Sequence, residues 1–327
     1  MNIKLNNHKI KKNIIQNKYL KISTINIGAT IFEVVFKKLN LNLVLNLDKI
    51  ENYKYNHQYI GSTCGRYANR IKNGFFYIKG KKYTLSKNDE TNTLHGGKIG
   101  FDKKLWDITY SSKNKIIYNL ISKHLDQGFP GNLNVNCEYK IKKNIFSCTY
   151  TYFSDEPTHV NLTNHSYWNF NPNKKSKIFN HDLQINADYY LPVNKKNIPL
   201  GVKKSVKNTN FDFRKINNIG DKTLNGKNNF DINFVLNSKK MQTVALLINK
   251  ETKLKLKLKS NQPGLQLYTG HKLTKFKNPK SLSPFQGICL ETQHFPNSPN
   301  EKRFPSTLVI PNKKYVIKTD YIFEKLI

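Results

Sequence analysis

Charged and apolar residues alternate without a break over residues 253–258, Lys-Leu-Lys-Leu-Lys-Leu, a period of two that puts every leucine on one face of an extended chain. Such a segment predicts a strand with one buried and one solvated face. Residues 244–248, just upstream, form a second apolar run joined to it by Asn249-Lys250-Glu251, so the two predict a hairpin. Two more follow the same logic. Leu133, Val135, Cys137, Tyr139 and Ile141 alternate with polar residues, Lys142-Lys143-Asn144 turns, and Phe146, Cys148, Tyr150 and Tyr152 alternate back. Residues 75–78 turn at Lys79-Gly80-Lys81 and return through Tyr83 and Leu85. No stretch carries the sustained 3.6-residue apolar period with end caps that a long amphipathic helix requires. Many strands separated by turn-forming clusters predict an all-β fold, a large antiparallel β-sandwich in which each sheet buries one face.

The length of 327 residues exceeds the usual ~150 per domain, yet sandwiches reach about 200–250 residues, and more with elaborations, without dividing. No Pro/Ser/Gly-rich linker offers a cut, so one domain over 1–327 is expected, with residues 1–18 a variable basic arm. Lys+Arg total 55 against 21 Asp+Glu, a formal charge of +34, which ordinarily suggests nucleic acid or an anionic membrane. Here the lysines are scattered along nearly every segment, with no designed stripe, and neither partner is expected. Only four basic residues are arginine, Arg66, Arg70, Arg214 and Arg303. A guanidinium offers a rigid donor fork that lysine cannot copy, so these positions mark places where geometry matters. Cys64, Cys137, Cys148 and Cys289 have no metal-type spacing and read as thiols in a reducing compartment. No apolar run approaches the ~18 residues of a membrane span and the N-terminus lacks a signal-peptide core, so the cytoplasm is the expected compartment.

In a fold of strands, chemistry belongs on a concave sheet face or the loops around it. The strongest polar interruption of an apolar strand is Glu291, in Gly-Ile-Cys-Leu-Glu-Thr-Gln-His-Phe from Gly287; alternation puts Cys289, Glu291, Gln293 and Phe295 on one face. A buried carboxylate is costly unless hydrogen-bonded, paired or used, and a structural salt bridge is the plain alternative. The second interruption is His165, set among amides, hydroxyls and aromatics in Asn-Leu-Thr-Asn-His-Ser-Tyr-Trp-Asn-Phe. Such groups suit a sugar, amides pairing with ring hydroxyls and aromatic faces covering the C–H side, although a satisfied core histidine has the same appearance. The glycine-containing segments around Arg66 and His95 match neither a phosphate loop nor a dinucleotide fingerprint.

The segments GRYANRI, NTLHGG-x-x-GFD, QGFPGNL, NLTNHSYWNF, ADYYLPV, FDFR, FDINFVL, QLYTG and CLETQHFPNSPN stand in the order, and at roughly the spacing, of the aldose 1-epimerase (galactose mutarotase) family, which the chain resembles from about Gly61 onward. All four arginines fall in or beside these segments. The resemblance implies a galactose mutarotase-like supersandwich whose concave face holds a sugar. It also implies an isomerase that interconverts the α and β anomers of free aldohexoses such as galactose and glucose, without metal or cofactor, as a monomer or a homodimer. By motif position His165 resembles the general acid and Glu291 the general base, while Asn69, Arg70, His95, Asp231, Gln266 and Tyr167 resemble the sugar contacts. One departure is visible: the family usually has His after the aspartate, and Ile232 stands here, which puts the surroundings of Asp231 in doubt.

Exchange of anomers needs a proton removed from the C1 hydroxyl and one added to the ring oxygen, rotation of the freed aldehyde, and closure by the reverse transfers. A base and an acid on opposite sides of the C1–O5 unit are expected to run both directions. Ordinary values of about 4.3 for Glu and about 6.5 for His make the carboxylate ready as a base at neutral pH, whereas the imidazole has to be kept partly protonated. A carbohydrate-binding module would share the pocket without the acid/base pair. A hexose 6-phosphate mutarotase would use lysines for phosphate, but the Asn-Arg, Leu-His-Gly-Gly and Thr-Asn-His-Ser set favours the free sugar. A glycosidase ordinarily needs two carboxylates where one strong candidate stands.

Overall fold

The computed structural model describes residues 9–237, 240–274 and 282–327. Among them the one α-helix is the single turn Ile219–Lys222, and the regular structure is otherwise strand and short 3-10 turns. Nine strands form the largest sheet in the order Asp107–Ser111, Lys115–Ser122, Leu133–Lys142, Ile145–Ser154, Tyr315–Lys325, Leu254–Ser260, Gln242–Asn249, His181–Ile185 and Asn217–Asn218. A six-stranded sheet has the order Tyr167–Trp168, Ile288–Gln293, Gly264–Tyr268, Asp231–Val235, Tyr189–Leu191 and Lys204–Ser205. Both are antiparallel, as the alternation requires.

All three expected hairpins are present. Leu133–Lys142 pairs with Ile145–Ser154, and Lys142 lies opposite Ile145, so the turn is Lys143-Asn144, one residue tighter than expected. Ile78 lies opposite Lys81, and Lys79 and Gly80 both take positive φ, 48° and 79°, the mirror-image turn whose twist suits a two-residue hairpin. Leu254, Leu256 and Leu258 are buried while Lys255 and Lys257 are half-exposed. These leucines join Val135, Tyr139, Phe146, Ile317 and Tyr321 in one core with Leu265, Leu267, Ile288 and Leu290 from the six-stranded sheet. Each side chain of this size contributes about 1.5–3 kcal/mol on burial.

The strand Ile288–Gln293 is buried on both faces. Ile288 and Leu290 point into the core, and Thr292 Oγ1 meets Thr319 Oγ1 of the large sheet at 2.6 Å. Alternation therefore turns Cys289, Glu291 and Gln293 to the other side of the sheet, and the site grows there.

The expected N-terminal arm is corrected in part. Residues 1–8 lie outside the described residues, but Lys12–Gln16 is a strand paired with Leu20–Ile25, and Thr30–Phe36 and Leu41–Asn42 complete that sheet. Ile10 and Ile15 are buried, which the lysines around them obscured. No helix among the described residues is long and apolar enough to cross a membrane.

Candidate active site

Strand register sets the floor of the site. Tyr167, Cys289, Tyr268 and Asp231 occupy one row across four adjacent strands, and Glu291, Gln266 and Asn233 the next row, about 7 Å along. The walls come from loops. Arg70–Ile71 pairs with Thr93–Leu94, bringing His95 beside Asn69; Asn69 N donates to His95 Nδ1 at 3.2 Å, and His95 N donates to Asn69 O at 3.1 Å. Gly96 follows at φ +90°, where a Cβ would collide with the Gly65 carbonyl, so the turn after His95 requires glycine. His165 is held through its backbone, its N–H donating to Ser62 O at 2.9 Å and its carbonyl accepting from Gly61 N at 3.0 Å. Asn164 beside it donates to Gly61 O at 2.8 Å and accepts from Ser166 Oγ at 2.6 Å.

All eight residues singled out in the sequence line one cavity of about 350 Å³: His165, Glu291, Asn69, Arg70, His95, Asp231, Gln266 and Tyr167. His165 Nε2 stands 3.6 Å from Glu291 Oε1, with both side chains nearly sealed, 6% and 3% exposed. The gap is too small for a sugar ring to pass between them, which corrects the expectation of groups on opposite sides: they stand side by side. Arg70 Nε donates to Asp89 Oδ2 at 2.8 Å, committing one edge of the guanidinium. Asp231 is held at both oxygens, by Gln266 Nε2 at 2.7 Å and Asn197 Nδ2 at 3.1 Å. Tyr167 donates its hydroxyl to Gln58 O at 3.0 Å, so it offers the cavity a ring, 5.0 Å from that of His165.

Ile232 belongs to the core on the opposite face of its strand, so the substitution there leaves the Asp231 carboxylate untouched. Of the four arginines only Arg70 reaches the cavity. Arg66 is buried and donates to the carbonyls of Pro130, Gly131, Ser122 and Lys123, tying loops together behind the site. Arg214 and Arg303 pair with Asp212 and Glu301 at the surface. The sequence reading missed Tyr59, Leu94 and Tyr268 in the lining, and His57, Gln58, Lys272 and Thr274 beside them. Tyr268 was within reach, since it lies two residues after Gln266 on the same face. Tyr59, whose ring packs 4.5 Å from that of His95, left no pattern in the sequence.

Burial controls the electrostatics. It raises Glu291 well above the usual carboxylate range, the negative charge of Asp231 adding to the effect, and it lowers His165 to about 4. His95 is pushed well below the ordinary imidazole value by burial, with His165 and Arg70 adding. Over the interval between the His165 and Glu291 values the pair holds a single proton. His165, Cys289 and Glu291 also bring a nitrogen, a sulfur and a carboxylate oxygen within 4.8 Å of one another, the donor set among the described residues that could hold a metal. The ring turns Nε2 to Glu291 but Nδ1 to Cys289 at 3.5 Å, which suits two separate contacts better than one shared ion.

An imidazole and a carboxyl side by side, walled by amides, a guanidinium and aromatic rings, define a site for proton transfer on a small polyhydroxyl ligand. The family model for aldose 1-epimerase matches residues 11–321. Galactose mutarotase of Homo sapiens is 37% identical over 317 residues, covering 94% of this chain and 92% of that protein. Aldose 1-epimerase of Haemophilus influenzae is 39% identical over 260 residues, covering 77% and 76%. Among solved structures, the GalM/aldose epimerase homologue from C. elegans superposes with a TM-score of 0.91 at 27% identity, over 98% of this chain and all of that one. Galactose 1-epimerase from Lactobacillus acidophilus gives 0.88 at 28%, over 99% and 97%. The chain belongs to the aldose 1-epimerase family.

Proposed function

We propose that this chain is an aldose 1-epimerase, a single catalytic domain that interconverts the α and β anomers of a free aldohexose, with Glu291 and His165 performing the proton transfers. The observation that carries the reading is the sealed contact of these two side chains, 3.6 Å apart, in a sugar-sized cavity. The C1 hydroxyl oxygen and the ring oxygen are bonded to the same carbon, so they lie closer together than one hydrogen-bond length. Neighbouring groups can therefore address both at once. The Glu291 carboxylate takes the proton of the C1 hydroxyl while protonated His165 gives one to O5, and the C1–O5 bond opens. After rotation about C1–C2 the aldehyde presents its other face, and the reverse transfers close the ring as the other anomer.

A single proton on the pair explains how two groups that burial drives toward neutrality can do this. Proton on the carboxyl, or carboxylate beside imidazolium: both forms carry the same number of protons, so the reacting set forms with no net uptake or release of a proton. Arg70, Asn69, His95, Gln266 and Asp231 fix the sugar by its hydroxyls, and Tyr167 and Tyr268 cover its C–H face. Four free, buried cysteines support a reducing compartment, the cytoplasm.

The test is polarimetry of freshly dissolved α-galactose and α-glucose, with glucose 6-phosphate alongside. Enzyme should speed the approach to equilibrium for the free sugars, and a rate equal to the uncatalysed one would leave a binding module. The pH profile has a sign. Activity requires one proton on the pair, so it is lost at low pH when a second proton binds, and at high pH when the last one leaves. Because burial lowers His165 to about 4, the acid limb of kcat/KM should fall near that pH, and a limb at the ordinary imidazole value of about 6.5 would contradict it. Arg70→Lys keeps the charge but loses the fork. A hydrogen bond to a charged group contributes about 1.5–3 kcal/mol, so kcat/KM should fall about ten- to hundredfold, and an unchanged value would remove Arg70 from the sugar contacts.

A further inference from the structure

The two ring nitrogens of His165 face different partners, Glu291 Oε1 at 3.6 Å from Nε2 and Cys289 Sγ at 3.5 Å from Nδ1. In the reaction proposed above, on which this inference rests, Nε2 gives a proton to O5 and takes one back, so it alternates between N–H and lone pair. A neutral imidazole carries one proton on either nitrogen. Were that proton on Nε2, the ring would face O5 as a neutral N–H, a far weaker acid than imidazolium, and would have no lone pair there to recover a proton. The permanent proton therefore belongs on Nδ1, where it needs an acceptor. We propose that Cys289 is a positioning residue: its sulfur accepts the Nδ1–H of His165, holds the ring in that tautomer and leaves Nε2 free to shuttle.

The surroundings agree. Glu291 at 3.6 Å is beyond hydrogen-bond length, so it does not select the tautomer itself. Cys289 is fully buried in an apolar cluster, in register between Tyr167 and Tyr268. Burial keeps the thiol protonated, its value pushed well above the ordinary one. A neutral, soft acceptor orients the ring without pulling it toward imidazolium, as a carboxylate in that place would. The imidazolium formed during turnover is then a strong acid, suited to a weakly basic ring oxygen.

The test is the ¹⁵N spectrum of the His165 ring at neutral pH, assigned by comparison with His165→Ala, together with kinetics of two variants. The wild-type ring should carry its proton on Nδ1. Cys289→Ala should lose that preference and lower kcat about ten- to hundredfold, with KM moving less than about threefold. Cys289→Ser, whose oxygen can accept the same bond, should recover most of the loss, which a purely packing role for the thiol would not produce. A wild-type ring protonated on Nε2 in an enzyme that anomerises sugar would overturn the Cys289 assignment alone; so would Cys289→Ala with wild-type kcat, or Cys289→Ser no better than Cys289→Ala. Failure of the wild-type enzyme to anomerise free hexoses would instead overturn the proposed function and the shuttle with it. Should Cys289→Ala not fold, the wild-type spectrum still decides.

Discussion

Glu291→Gln should lower kcat about 10²–10⁴-fold, the usual contribution of a positioned acid or base, and move KM only a few-fold. The substitution is nearly isosteric and removes only the capacity to bind and release a proton. It breaks no hydrogen bond on Oε2, which has none among the described residues, and it exchanges a buried ionisable group for a neutral one. Thermal stability should therefore be unchanged or slightly higher, separating lost chemistry from lost structure. Polarimetry on fresh α-galactose beside a melting curve checks both. A variant with wild-type kcat would show that the base lies elsewhere.

His165→Ala should fall by a comparable factor, for the complementary reason that nothing then donates to the ring oxygen. The side chain packs among Tyr59, His95 and Tyr167, with ring centroids 5.8, 5.5 and 5.0 Å away, so its removal leaves a ring-sized hole open to the cavity. Free imidazole added to the assay should enter that hole and restore part of the rate. Because base and acid act on the same ring opening, Glu291→Gln combined with His165→Ala should be little worse than the weaker single variant. Multiplying losses would mean that the two groups serve separate steps.

The extent to which these residues were visible in the sequence follows from what alternation can and cannot see. Period two located the three hairpins and put Cys289, Glu291 and Gln293 on one face, because strand geometry is local. The same rule explains why Ile232 does not disturb Asp231. The resemblance supplied the loop contacts Asn69, Arg70 and His95, which no local pattern marks. Side-chain partners brought together by tertiary packing stayed hidden: Asn197 on Asp231, Asp89 on Arg70 and Cys289 on His165 lie 34, 19 and 124 positions apart. The placement of Glu291 and His165 side by side was hidden for that reason too. The sequence alone places both in one hollow but on opposite sides of the sugar. The strand Lys12–Gln16 was missed because Lys12, Asn13 and Gln16 masked the buried Ile15.

The most direct measurement is a crystal structure of the wild-type enzyme with galactose bound. Glu291 should lie within about 2.6–3.2 Å of the C1 hydroxyl and His165 Nε2 within the same reach of the ring oxygen, both approaching from one side of the C1–O5 unit. A sugar bound with C1 turned away from this pair, or seated outside the cavity between Arg70 and Asp231, would contradict the account.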